Sequence, residues 1–332
     1  ANGGVREASY RYLWDLKSNA YPPSSEAGLI LPTMEALEAD DTTDGNEYGV
    51  WRARTHKYNP VYYDPNVMYE PWIGLDGASE DFAAADPRAV RLDPVDPGTT
   101  IDLLDLHSYD STGVPEWDSN GGTEKIDVDD MYIPFYYATN ATPPLAWNDS
   151  YSKVEIKSEN APFAGSADRA DCAVGDGDPT DCTYQQELQN FANWFQYHRT
   201  REYVTKAAMG GVIAETQDLR IGYETISNTT SEPVRDMNDL YSEGNKRALL
   251  DTVYAVDSYG GTPLRQLLDR GGKILGCQTG NDCPALPEPE GICQQNFALL
   301  FSDGYWGSGA GTPNNTDVDG VGPKGPFDGG RY

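Results

Sequence analysis

The sequence predicts an α/β fold with a parallel sheet in residues 183–332, preceded by a loop-rich, partly β module in residues 1–182. Three observations carry this. Residues 185–215 contain no proline and place Leu188, Phe191, Phe195, Tyr203, Ala207 and Val212 at roughly helical spacing. Starting with this helix, the patterns run helix, strand, helix, helix, strand, an order that brings strands together through crossover helices. The last of these, Asn296-Phe297-Ala298-Leu299-Leu300-Phe301, is a continuous apolar run cut off by Ser302-Asp303-Gly304 and reads as a buried strand covered on both faces.

Upstream of Thr183 the signals are local. Val5 to Leu16 suits a short helix or an extended piece, ended by Tyr21-Pro22-Pro23. Glu35 to Tyr48 is acidic and reads as exposed. Aromatics then alternate with prolines from Tyr58 to Trp72, which excludes a long helix or a central strand. Those rings need burial, and packing against the main body is expected over stacking on sugars. Pro87 to Pro97 reads as turns, Ile126 to Tyr137 ends in an aromatic run, and Lys153 to Lys157 alternates as a half-exposed strand.

From Thr183 onward the signals lengthen. Thr183 with Gln186 three positions on makes a capping box for one long helix, kinked at Gly210 and Gly211. Leu219 to Ile226 alternates with β-branched content and predicts a strand. Asn245 to Val256 predicts a helix whose apolar face is Leu249, Leu250, Val253 and Tyr254. Thr262 at the cap and Pro263 at the first position open a further helix through Leu275, with Lys273 suited to its C-terminal dipole.

Composition narrows the function. With 53 acidic and 24 basic residues the net charge is −29, which repels nucleic-acid phosphates and anionic membranes. Such a surface suits solubility, high ionic strength or divalent cations. No membrane span or signal peptide is legible, and nucleic acid and membrane insertion are not expected. The first residues lack an initiator Met and the last stop within a loop-like stretch, so the chain reads as part of a longer protein. The five cysteines, Cys172, Cys182, Cys277, Cys283 and Cys293, punctuate polar loops without a Cys-x-x-Cys pair, which favours disulfides in an oxidising compartment over zinc. Cys172 with Cys182 is the expected first pair, and the odd cysteine is left to a partner outside the chain.

Candidate site residues are few. Asp303 follows the predicted strand, the position where open α/β sheets bind ligands, and Thr262 lies at a Gly-Gly turn feeding a helix. Both offer oxygens to a hard cation, although Thr262 also serves as a plain helix cap. In the tail, Asn314-Asn315-Thr316-Asp317-Val318-Asp319-Gly320 resembles part of a calcium loop through Asp317 and Asp319, without the EF-hand spacing. A Gly-x-Ser-x-Gly elbow and a phosphate-binding Gly-Lys-Ser/Thr loop are both missing, so an enzyme is not expected.

Several segments, in order, resemble the PilY-type adhesins of type IV pili. They are Asn59-Pro60-Val61-Tyr62-Tyr63-Asp64-Pro65, Phe191 to Arg201, Leu219-Arg220-Ile221-Gly222-Tyr223, Gly260-Gly261-Thr262-Pro263-Leu264-Arg265 and Ser302-Asp303-Gly304-Tyr305-Trp306. The resemblance implies a von Willebrand factor A-like, doubly wound core with residues 1–182 as an insertion. It also implies a metal-ion-dependent adhesion site in which Thr262 and Asp303 supply the second and third pieces and bind Mg2+ or Ca2+. The first piece, Asp-x-Ser-x-Ser, is absent from the 332 residues. A C-terminal β-propeller is usual in that family. The implied setting is extracellular, at the pilus tip or cell surface, with minor and major pilins and a host or abiotic surface ligand as partners. A structural subunit of a filament or surface layer and a secreted polysaccharide-binding protein are the alternatives.

Overall fold

The computed structural model describes residues 55–57, 60–76, 80–110, 127–139, 152–172, 181–227, 230–256, 263–277 and 283–301. The segments Val5 to Leu16, Glu35 to Tyr48 and Asn314 to Gly320 lie outside the described residues. The chain divides into two compact units, Ala1–Gly211 and Val212–Tyr332. The change of sequence character at Thr183 coincides with a helix N-terminus, while the units part further on.

Short antiparallel strand pairs surround one helix in the first unit. β1 (Val90–Asp93) pairs with β2 (Asp96–Ile101), β3 (Leu106–Asp110) with β4 (Asp127–Tyr132), β5 (Phe135–Ala138) with β6 (Ser152–Glu155), and β7 (Phe163–Ala164) with β8 (Asp181–Cys182). The turn-rich stretch at Pro87 to Pro97 is therefore a hairpin. Its corner is made by aspartates whose carboxylates accept from backbone two residues on, Asp93 from Val95 N at 3.2 Å and Asp96 from Gly98 N at 2.8 Å. Pro134 separates β4 from β5 and removes a ladder donor there, and its carbonyl accepts from Ile156 N at 2.8 Å.

The helix at the centre of this unit is α1 (Tyr184–Tyr197), opened by Thr183 and Gln186 as a reciprocal capping box. It ends at His198, and α2 (Arg201–Glu215) follows after three residues. The expected single helix therefore breaks at His198 to Thr200 and continues through Gly210 and Gly211. The reason is a competing set of bonds. Arg199 Nη1 donates to Phe195 O at 2.6 Å, and Thr200 Oγ1 caps the new helix by accepting from Tyr203 N at 3.1 Å.

In the second unit β9 (Arg220–Glu224) pairs antiparallel with β10 (Ser231–Asp236), followed by α3 (Gly244–Ala255) and α4 (Leu264–Leu275). Gly222 is required by close packing, since a Cβ there would stand 2.8 Å from Val234 Cγ2. Gly244 has φ +59°, and Asp239 Oδ2 occupies the space of its missing Cβ to cap α3 through Asn245 N at 2.7 Å. The predicted apolar face of α3 is buried at Leu249, Leu250, Val253 and Tyr254. Pro263 takes the cap position of α4 rather than its first turn.

The architecture is α/β, but the described strands pair antiparallel, two by two. The parallel sheet expected for residues 183–332 is not formed among the described residues. Asn296 to Phe301 is no strand, and Phe297, Leu299 and Phe301 are 82, 80 and 59 % exposed. An apolar run becomes a buried strand only when a neighbouring strand satisfies its backbone, and none of the described strands lies beside it.

Candidate adhesion surface

The first unit is a helix that holds loops. Its aromatic–proline segment is buried, with Tyr62, Tyr63 and Trp72 at 5, 0 and 3 % exposure, so these rings are no platform for sugars. Tyr63 packs against Phe191 at 5.1 Å between ring centroids and against Tyr136 at 5.7 Å. Polar side chains of α1 bond the backbone of the segments packed around it. Asn190 accepts from Tyr69 N at 2.7 Å and donates to Val67 O at 2.8 Å. Asn193 accepts from Ala85 N at 2.9 Å and donates to Tyr69 O at 2.9 Å, and Gln196 accepts from Arg91 N at 2.9 Å. From Asn190 to Tyr197 α1 is buried yet carries amides, because each one satisfies its polar atoms on backbone groups of the surrounding segments. The sequence reading recovered the apolar spacing of this helix and missed the amide row, whose signal is Asn190, Asn193 and Gln196 falling at helical spacing beside the apolar stripe.

One buried ion pair anchors the far end. Arg169 Nη1 donates to Glu187 Oε2 at 2.8 Å with both side chains fully buried, and Arg169 forks onto Asp171 with two 2.9 Å bonds. Tyr63 donates to Glu187 Oε1 at 2.8 Å. Burial pushes the Glu187 carboxyl up, opposed by the Arg169 charge and by hydrogen bonds from Arg169 and Tyr63. Burial works against the Arg169 charge as well, but Asp171, Tyr63 and Glu187 outweigh it and hold the guanidinium above its ordinary value. The disulfide Cys172–Cys182, with S–S 2.06 Å, ties this arm to the start of α1, as the sequence suggests.

His198 closes the other end of α1, its Nε2 2.8 Å from Glu70 O and its ring 5.2 Å from Tyr69. Burial lowers its pKa, only partly offset by that carbonyl, and burial lowers His56 too. A depressed histidine stabilises the fold above its unfolded value of 6.5, and that stability is lost as pH falls through the folded value. We expect the urea midpoint of the first unit to fall between pH 7.5 and pH 5, and His198→Gln to flatten the slope. An unchanged slope in the variant would exclude His198 as its source.

In the second unit Arg270 of α4 pairs with Glu224 of β9 and donates to Thr225 O and Ile226 O at 3.2 and 3.1 Å. Lys246 of α3 is 2 % exposed and donates to Ala214 O at 2.9 Å, near the C-terminal, electronegative end of α2. Thr262, Asp303, Asp317 and Asp319 lie outside the described residues. Cys277 and Cys283 form a second disulfide and Cys293 is a free, exposed thiol. Among the described residues no group of three or more His, Cys, Asp or Glu is placed to hold a metal, and no helix is long and apolar enough to cross a membrane.

The described residues thus make up a disulfide-bonded α/β chain whose buried polar groups in the first unit bond the segments packed around α1. Comparison with known proteins gives the particular kinship. The chain is 24 % identical over 307 residues, 86 % of its length, to the type IV pilus biogenesis factor PilY1 of Pseudomonas aeruginosa strain PAK. It is 25 % identical over 277 residues, 80 % of its length, to PilY1 of strain UCBPP-PA14. It spans 24 and 21 % of those relatives, about a quarter of their length or less. No family model and no solved structure matches the chain. The chain is therefore similar over most of its length to PilY1-type pilus biogenesis factors.

Proposed function

We propose that the chain is the adhesion and assembly region of a type IV pilus protein acting outside the cell, at the pilus tip or cell surface. The observation that carries this is a match over 86 % of the chain to a pilus biogenesis factor. Its mechanism is bridging: one face docks on minor and major pilins and another meets a host or abiotic surface. The two disulfides suit an extracytoplasmic setting. Deleting the gene in the source organism tests the role. Loss of surface pili and of attachment, restored by the wild-type gene, is expected, and normal piliation with normal attachment would overturn it.

The finer reading belongs to the same proposal. It is a von Willebrand factor A-like core in which the β9–β10 hairpin is the antiparallel edge that doubly wound sheets often carry. Thr262 and Asp303 would offer a hydroxyl and a carboxylate, a donor set that suits Mg2+ or Ca2+, and Asp317 and Asp319 would offer oxygens to Ca2+. The cation would supply a positive centre for a carboxylate of the surface ligand. Asp303→Ala is expected to weaken Mg2+ or Ca2+ binding at least tenfold by calorimetry while leaving the far-ultraviolet circular dichroism unchanged. Equal affinity in the variant would remove the rim from the proposal.

A further inference from the structure

The cysteines of the second unit differ in kind from the pair in the first. Cys172 and Cys182 are both fully buried. Cys277 and Cys283 are exposed, and the free thiol Cys293 is exposed as well. The segment after Cys283 curls back on itself. Gly291 N donates to Pro287 O at 3.0 Å and Gln294 N to Gly291 O at 3.2 Å. The Gln294 side chain then clasps the start of the segment, donating to Pro284 O at 2.8 Å and accepting from Leu286 N at 2.8 Å. Pro284 and Gln294 directly follow Cys283 and Cys293, so this clasp holds the residue next to the free thiol against the residue next to one end of an exposed disulfide. Cys277, just past the C-terminus of α4, has φ +56°, a left-handed conformation that costs a non-glycine residue.

We propose that Cys277, Cys283 and Cys293 form a thiol–disulfide exchange site. The Cys293 thiolate attacks Cys283 Sγ, the Cys283–Cys293 bond forms, and the Cys277–Cys283 bond breaks. Cys277 leaves as a thiolate and takes up the proton that Cys293 gave. One thiol and one disulfide are present before and after, so no outside oxidant or reductant is needed. The exchange replaces a sequence separation of 6 with one of 10, a small change in loop-closure entropy. It also frees Cys277, at the C-terminal end of α4, from its disulfide. The two bonding patterns give two tethers for the segment between α4 and the exposed run Asn296 to Phe301, one of them joined to the end of α4 and the other free of it. The buried Cys172–Cys182 bond is shielded from attack and serves as an internal reference.

The test uses the purified, folded chain without denaturant. It is held at pH 8 or pH 5, acid-quenched, alkylated with N-ethylmaleimide, digested and mapped by mass spectrometry. At pH 8 we expect peptides linked Cys283–Cys293 together with alkylated Cys277, and at least a tenfold slower appearance at pH 5, where less thiolate exists. Cys293→Ser, a change at an exposed position, is expected to show Cys277–Cys283 alone at both pH values, with Cys172–Cys182 intact throughout. Alkylation confined to Cys293 after hours at pH 8, with Cys277–Cys283 intact, would overturn the proposal. So would a Cys293-linked dimer that forms without any Cys283–Cys293 bond.

Discussion

Arg169→Met lowers the stability of the first unit by about 3–5 kcal/mol, the cost of leaving one buried charge without its partner. The arginine and Glu187 are both fully buried, so removing the arginine leaves the carboxylate out of water without its cation. Its loss also removes the 2.8 Å bond to Pro65 O and both bonds to Asp171. The double variant Arg169→Met with Glu187→Leu is expected to recover a large part of that loss. A buried ion pair adds little over well-packed apolar groups, and the cost lies in breaking it from one side. Urea titration followed by tryptophan fluorescence reads both. A single-variant loss below about 1 kcal/mol would mean that the pair is solvated, and an additive double variant would mean that the two residues do not act as one unit.

That ion pair also shows where the sequence ran out. Thr183, Gln186 and the apolar faces of α1 and α3 were legible because capping and helical spacing are properties of neighbours in the chain. The Cys172–Cys182 bond was legible because only 10 positions separate its ends. Arg169 and Glu187 are 18 positions apart, and Tyr63 is 124 positions from Glu187. Among 53 acidic residues nothing local distinguishes Glu187 as the buried one. The break at His198 to Thr200 was missed because Gly210 and Gly211 are the stronger local signal. The break is set instead by Arg199 and Thr200, and the Arg199 guanidinium that bonds Phe195 O also reaches Leu92 O, a contact 107 positions away. The strand at Asn296 to Phe301 was inferred from composition, which reports a wish for burial and not a partner. For the proposed cation rim, spacing and motif name Thr262 and Asp303 as oxygen ligands, but whether two distant loops converge is a tertiary property that neither residue's neighbours encode.

Trp194→Ala is expected to cost the first unit about 3–5 kcal/mol, the range for removing a large buried aromatic. Trp194 is 5 % exposed and meets four rings: Tyr62 at 4.9 Å, Phe191 at 5.1 Å, Tyr63 at 5.9 Å and Phe195 at 6.3 Å. Its Nε1 also donates to Val61 O at 3.0 Å, holding the aromatic–proline segment against α1. Truncation therefore opens a cavity at the centre of the cluster and leaves a loop carbonyl without its donor. Trp194→Phe separates these two effects, because it keeps most of the ring and loses the donor. It is expected to cost about 1–3 kcal/mol, from the lost hydrogen bond to a half-buried carbonyl plus a small void. As a control, Val212→Ala on an exposed face of α2 is expected to stay within about 0.5 kcal/mol. If Trp194→Phe were as damaging as Trp194→Ala, the hydrogen bond to Val61 would outrank packing. The loops would then be held chiefly by the polar contacts of α1, with the rings filling the space those contacts define.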